Sequence, residues 1–108
     1  MENQYNIQWF PGHMAKTRRL ISENLSNVDI VLEVLDARIP LSSRNPEIAR
    51  LTAGKPRIVL LNKCSLADEK KTEAFRTYLS DGNTACIAID CITGQGLNKI
   101  APAMRELL

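Results

Sequence analysis

The chain has 108 residues, of which 44% are hydrophobic, 24% charged and 5% aromatic, with a formal charge of +2. That length fits one small domain, residues 1–108, and the hydrophobic share fills one core, which argues against a disordered tail or a disulfide mini-scaffold. Fourteen Lys+Arg against twelve Asp+Glu make no polycation, so any nucleic-acid contact has to be local. No apolar run approaches the roughly 20 residues that a membrane span needs. Met1-Glu2-Asn3-Gln4 has no signal-peptide character. Cys64, Cys86 and Cys91 are odd in number and lack metal-ligand spacing, so they read as reduced thiols. The expectation is a cytoplasmic, membrane-free domain without a metal site.

Along the chain, three of the five aromatics (Tyr5, Trp9 and Phe10) fall in the first ten residues, followed by Pro11-Gly12 and the lone His13. Met14, Ile21, Leu25 and Val28 recur at helical spacing, which predicts a helix over 13–26 carrying Lys16, Arg18 and Arg19. Three short runs rich in branched residues, 30–35, 57–61 and 85–89, read as strands. Their near-continuous apolarity suggests burial on both faces of a parallel sheet. Between them, Asn45-Pro46 supplies an N-cap and a first-turn proline for a helix over 46–53. A second helix, over 69–80, opens after Ser65-Leu66-Ala67-Asp68, which has the form of a capping box, and stops at Asp81-Gly82-Asn83. A last helix follows Thr93-Gly94-Gln95-Gly96 and runs over 97–108. Alternating strand and helix predicts a three-layer α/β fold with right-handed crossovers and a parallel sheet of about three strands. In sequential strand order, helices 46–53 and 69–80 should cover one face, and helices 13–26 and 97–108 the other.

Ligands of open parallel sheets bind beyond the carboxyl ends of the strands. The residues there are Asp36-Ala37-Arg38, Asn62-Lys63-Cys64-Ser65 and Asp90-Cys91-Ile92. Asn62-Lys63 after a buried strand looks like the start of an Asn-Lys-x-Asp guanine-specificity motif. In that motif a carboxylate accepts two hydrogen bonds from the base, whereas position 65 here is a serine. Asp90-Cys91-Ile92 and its glycine turn occupy the place of a base-supporting loop, although two glycines between strand and helix also suit an ordinary turn. The long connection from Asp36 to Pro46 is polar at the same edge, with Asp36 and Arg38 able to pair across the turn. Trp9 with Lys16, Arg18 and Arg19 suits stacking on unpaired RNA bases and phosphate contact, or equally a packed aromatic beside a solvated helix face. No Gly-x-x-x-x-Gly-Lys-Ser/Thr phosphate loop occurs; Gly12-His13-Met14-Ala15-Lys16-Thr17 is short and has no preceding strand.

Taken together, residues 8–16 (Gln-Trp-Phe-Pro-Gly-His-Met-Ala-Lys), 36–40 (Asp-Ala-Arg-Ile-Pro), 61–63 (Leu-Asn-Lys) and 94–97 (Gly-Gln-Gly-Leu) resemble the circularly permuted GTPases of the ribosome biogenesis GTPase A family. The resemblance covers essentially the whole chain. It implies a P-loop-GTPase-like fold in which the guanine motifs come first and the phosphate loop follows. The chain ends where the family goes on to its phosphate-loop strand. It is therefore expected to be the N-terminal part of a large-subunit assembly factor, binding GTP or GDP weakly or not at all and not hydrolytic alone. Mg²⁺ would serve only the complete protein. By the same resemblance Asn62, Lys63 and Ser65 would face guanine and Asp90, Cys91 and Ile92 would back it. His13 would orient the attacking water, a role idle here. The partners implied are the large ribosomal subunit and ribosomal RNA. A nucleotide-independent RNA-binding module is the alternative. Without a neighbouring strand, the 30–35 strand would be an open edge prone to self-association.

Overall fold

The computed structural model describes residues 11–108, with side chains from Ala15 onward. Helix α1 (Pro11–Asn24) runs into a 3-10 turn, Leu25–Asn27, and then into strand β1 (Val31–Asp36). Two short helices, α2 (Pro40–Ser43) and α3 (Pro46–Leu51), lead to β2 (Arg57–Asn62). A 3-10 turn and α4 (Glu69–Leu79) precede β3 (Thr84–Ala88), and a further 3-10 turn enters α5 (Ile100–Leu107). The sheet is parallel, in the order β1-β2-β3. This is the predicted architecture.

Burial follows from position in the sheet. Central β2 is flanked on both sides, so Arg57 to Leu61 are all buried, and Ile58, Val59 and Leu61 are fully so. Burying each of these side chains contributes about 1.5–3 kcal/mol relative to leaving it exposed. Register puts Leu35, Val59, Leu61 and Cys86 on one face, where Phe75 and Leu79 of α4 pack on them. Ile58, Leu60 and Ile87 face the other way with Ile89. There Ile100, Ala103, Met104 and Leu107 of α5 cover them at the i, i+3, i+4, i+7 spacing of one helical stripe.

Two expectations change here. Helix α1 does not join α5 on the second face. It packs against α3, with Ile21, Leu25 and Val28 gathered around Ile48 and Val31, and with Arg18 paired to Glu47 at 3.0 Å. Val31 shares its face with Arg57, whose guanidinium reaches the α3 backbone, so α1 lies on the α3 side of the β1 edge. Nor is β1 buried on both faces: Leu32 and Val34, opposite Ile58 and Leu60, are 48% and 59% exposed. An edge strand with one covered face leaves its alternate side chains in solvent, however apolar the run.

Capping chemistry sets the helix starts. Asn45 Oδ1 accepts from the amides of Glu47 (3.0 Å) and Ile48 (3.2 Å), as its position before Pro46 predicts. For α4 the cap is Asp68, whose Oδ1 accepts from Lys71 N at 3.0 Å. Ser65 is therefore no capping-box residue; it sits in the preceding 3-10 turn with its hydroxyl turned elsewhere.

Candidate functional site

The carboxyl ends of the three strands are bonded into one edge. Ala37 N donates to Asn62 O (2.7 Å), joining the first loop to the second, and Cys64 N donates to Ile89 O (3.0 Å), joining the second to the third. The Asn62 side chain adds a further tie, its Oδ1 accepting from Cys91 N at 3.0 Å. Asn62 thus spends its oxygen on holding the third loop and keeps its amide nitrogen as a donor.

Asp36 and Arg38 form a closed two-residue unit. Arg38 Nε and Nη2 donate to the two carboxylate oxygens at 2.9 and 2.7 Å, and the Arg38 amide adds a third bond at 2.9 Å. These donors hold the Asp36 carboxyl well below the usual carboxylate range, and Asp36 in turn raises Arg38. Lys63 Nζ lies 3.7 Å from the same carboxylate. The Ser43 hydroxyl accepts from Asp36 N (3.1 Å) and donates to Pro40 O (3.0 Å), clamping the start of the long connection.

Lys63 has φ 66° and ψ 32°, the left-handed region that a non-glycine residue seldom adopts. Its ammonium stays exposed beside Asp36. The strain of such a residue is of order 1–3 kcal/mol, and residues of this kind cluster at ligand sites.

Ser65 and Asp90 face each other across the second and third loops. The Ser65 hydroxyl donates to Asp90 Oδ2, and Asp90 Oδ1 accepts from Ile92 N (2.9 Å) and Thr93 N (3.2 Å). Asp90 is only 5% exposed, and a buried carboxylate is tolerable because these donors replace water. The Ser65 hydroxyl, and then the loop amides, lower its pKa below the ordinary value. Cys64 is raised, by burial and then by the Asp90 charge. Cys91 and Ile92 are exposed, Ile92 at 93%. The loop closes through Gly94 (φ 85°) and Gly96 (φ 78°), and a Cβ on Gly96 would lie 2.3 Å from Ala88 O. Both glycines are therefore required by conformation, and Gly96 by contact as well.

On α1, Lys16 is exposed, Arg18 pairs with Glu47, and Arg19 lies 4.0 Å from Glu23. Trp9 lies outside the described residues. His13 lies in the first turn of α1, with its side chain outside the described atoms.

One feature escaped the sequence reading. Glu33 accepts from Arg44 Nε and Nη2 (2.8 and 3.0 Å) and from Arg57 Nη1 (3.0 Å). Arg57, 5% exposed, also donates to Ala49 O (3.2 Å) and to the Thr52 hydroxyl. A lone Glu within an apolar strand was the available signal.

A parallel three-stranded sheet with helices on both faces, its strand-end loops cross-bonded into one polar edge, is consistent with part of a P-loop-GTPase-like fold. Comparison with known proteins narrows the class. The chain is 53% identical over 102 residues to ribosome biogenesis GTPase A of Bacillus licheniformis, covering 94% of this chain and 36% of that protein. To the protein of the same name from Priestia megaterium it is 50% identical, over 94% of the chain and 35% of the relative. Mitochondrial ribosome-associated GTPase 1 of Xenopus tropicalis is 40% identical, over 93% of the chain and 32% of the relative. No family profile matches the chain. Across almost all of its residues the chain is thus a homologue of the ribosome biogenesis GTPase A proteins. It spans about a third of the length of the curated relatives it matches.

Proposed function

We propose that the three bonded loops are the base-binding half of a purine-nucleotide site, and that residues 1–108 are the N-terminal portion of a circularly permuted GTPase domain acting in maturation of the large ribosomal subunit. The observation that carries this reading is the convergence at one sheet edge of Asn62, a left-handed Lys63 and the Asp90–Ile92 loop, joined by the Asn62–Cys91 bond. Asn62 positions the third loop, and its Nδ2 remains available to the base. The exposed stem of Lys63 lies along one side of the ring, and Cys91 and Ile92 close the other. The names of the relatives support a role in ribosome biogenesis, which fits residence in the cytoplasm.

Phosphate binding and hydrolysis lie beyond these residues. The Gly-x-x-x-x-Gly-Lys-Ser/Thr turn that cradles phosphates does not occur in the 108 residues. Among the described residues no group of three or more His, Cys, Asp or Glu could hold a metal ion. A phosphate-bound Mg²⁺ would take its ligands from the nucleotide, from water and from other protein segments. The water-orienting role of His13 likewise belongs to the complete protein. No described helix is long and apolar enough to cross a membrane.

Calorimetric titration of the full-length protein with GDP tests the reading. Binding that is lost in Asn62→Ala, while the fold is retained by circular dichroism, is the expected result. An Asn62→Ala protein that binds GDP as the wild type does would sink it. RNA binding lost in the Arg18→Ala/Arg19→Ala double variant, with no response to nucleotide, would instead support a nucleotide-independent RNA-binding module.

A further inference from the structure

We propose that the Ser65–Asp90 pair sets the base preference of this site, so that it binds guanine and hypoxanthine nucleotides alike. This inference rests on the reading of the loops as a base site. Guanine and hypoxanthine share N1–H and O6 and differ only in the 2-amino group of guanine. Reading that amino group calls for a second acceptor beside the one that takes N1–H, and a free carboxylate at position 65 would provide both.

Here position 65 offers neither charge nor a second oxygen. Its hydroxyl proton is committed to Asp90 Oδ2, so toward solvent the exposed Ser65 presents lone pairs on one neutral oxygen. Asp90 cannot stand in. It is 5% exposed, and both its oxygens are engaged, one by Ser65 and the other by the amides of Ile92 and Thr93. The carboxylate has in effect moved from the second loop to the third, where it braces the turn instead of facing a ligand.

The donors of the third loop are similarly engaged. Cys91 N donates to Asn62 Oδ1 (3.0 Å), Ile92 N and Thr93 N to Asp90 Oδ1, and Gly94 N to Asp90 O (2.8 Å). Each of these four amides is bonded within the protein, so none of them is free to donate to the base, and Ser65 Oγ is the acceptor that the second loop offers. One neutral acceptor satisfies N1–H of either base and leaves the 2-amino group to water. A charged acceptor for that group would favour guanine by about tenfold to a hundredfold.

The test is competition between GDP and IDP for the full-length protein, read as the ratio of their dissociation constants. A wild-type ratio within about fivefold is expected, below what a charged acceptor gives. A larger preference for GDP overturns the proposal. The Ser65→Asp/Asp90→Asn double variant returns a free carboxylate to position 65, and its ratio should move toward GDP by at least about tenfold. An unchanged ratio in a folded double variant also overturns the proposal, while the wild-type ratio decides by itself if the variant does not fold. Failure of the underlying reading is separate and visible: the wild type then binds neither nucleotide.

Discussion

Replacing Glu33 by alanine isolates what the ionic cluster under β1 contributes. Glu33 is the acceptor for two arginines, and its side chain is 14% exposed, Arg57 6% and Arg44 26%. Without the carboxylate, Arg44 can swing into water, but Arg57 is held beneath α3 with Ala49 O and the Thr52 hydroxyl as the remaining acceptors for its side chain among the described residues. Removing one partner of a buried pair costs about 3–5 kcal/mol, because the remaining charge is stranded in a poorly solvated site. The freedom of Arg44 puts Glu33→Ala at the lower end, about 3 kcal/mol. Against a total domain stability of about 5–15 kcal/mol, that is a large fraction. In urea denaturation followed by far-ultraviolet circular dichroism, the midpoint should fall steeply with the slope unchanged. Glu33→Gln keeps one carbonyl acceptor and should lose less. Glu73→Ala removes an equally well-formed pair with Arg76, whose two side chains are 59% and 43% exposed, and should leave the midpoint unmoved. A Glu33→Ala loss below about 1 kcal/mol, or a Glu73→Ala loss as large, would refute the argument that burial decides the value of these pairs.

Three glycines should respond to alanine in a graded series of thermal melts. Gly96→Ala meets both a positive φ and a backbone oxygen and should cost about 2 kcal/mol or more. Gly94→Ala has open space and pays only for its φ, about 1 kcal/mol, and Gly54→Ala, with neither obstacle, should be neutral or slightly stabilising. Asp36 governs an acid limb. Its folded pKa lies below the unfolded value of about 3.9, so the stabilisation it brings is complete above that pH and is lost as the pH falls through the folded value. The stability gap between wild type and Asp36→Asn should stay constant from about pH 8 to pH 5 and narrow only below about pH 4; a gap that closes between pH 7 and 5 contradicts this. The β1 edge, unpaired among the described residues and with Leu32 and Val34 exposed, should make the 108-residue chain self-associate as its concentration rises, and Leu32→Lys/Val34→Lys should suppress this in sedimentation velocity. A wild-type chain that sediments as a monomer at every concentration would remove the edge argument.

Local chemistry in the sequence was enough for much of the architecture. Branched apolar runs specify strands, Asn45-Pro46 specifies a helix start, and the glycines at 94 and 96 specify a tight turn, because each effect acts within a few residues. The polar edge was legible for the same reason: parallel strands of alternating α/β topology bring Asp36, Asn62 and Asp90 to one side of the sheet. What tertiary structure alone decided was how partners distant in sequence share their valences. Ser65 reads as a capping residue until Asp90, on another loop, takes its proton. Asn62 reads as a ligand contact through both its amide atoms until Cys91 claims the oxygen and leaves only the nitrogen for a base. Glu33 looks out of place in an apolar strand until Arg44 and Arg57 close around it. The apolarity of β1 said nothing of which of its faces would be covered, since that depends on α1 settling against α3 and not on β1 itself. Pattern and propensity depend on neighbours along the chain, whereas hydrogen-bond allocation and burial depend on neighbours in space.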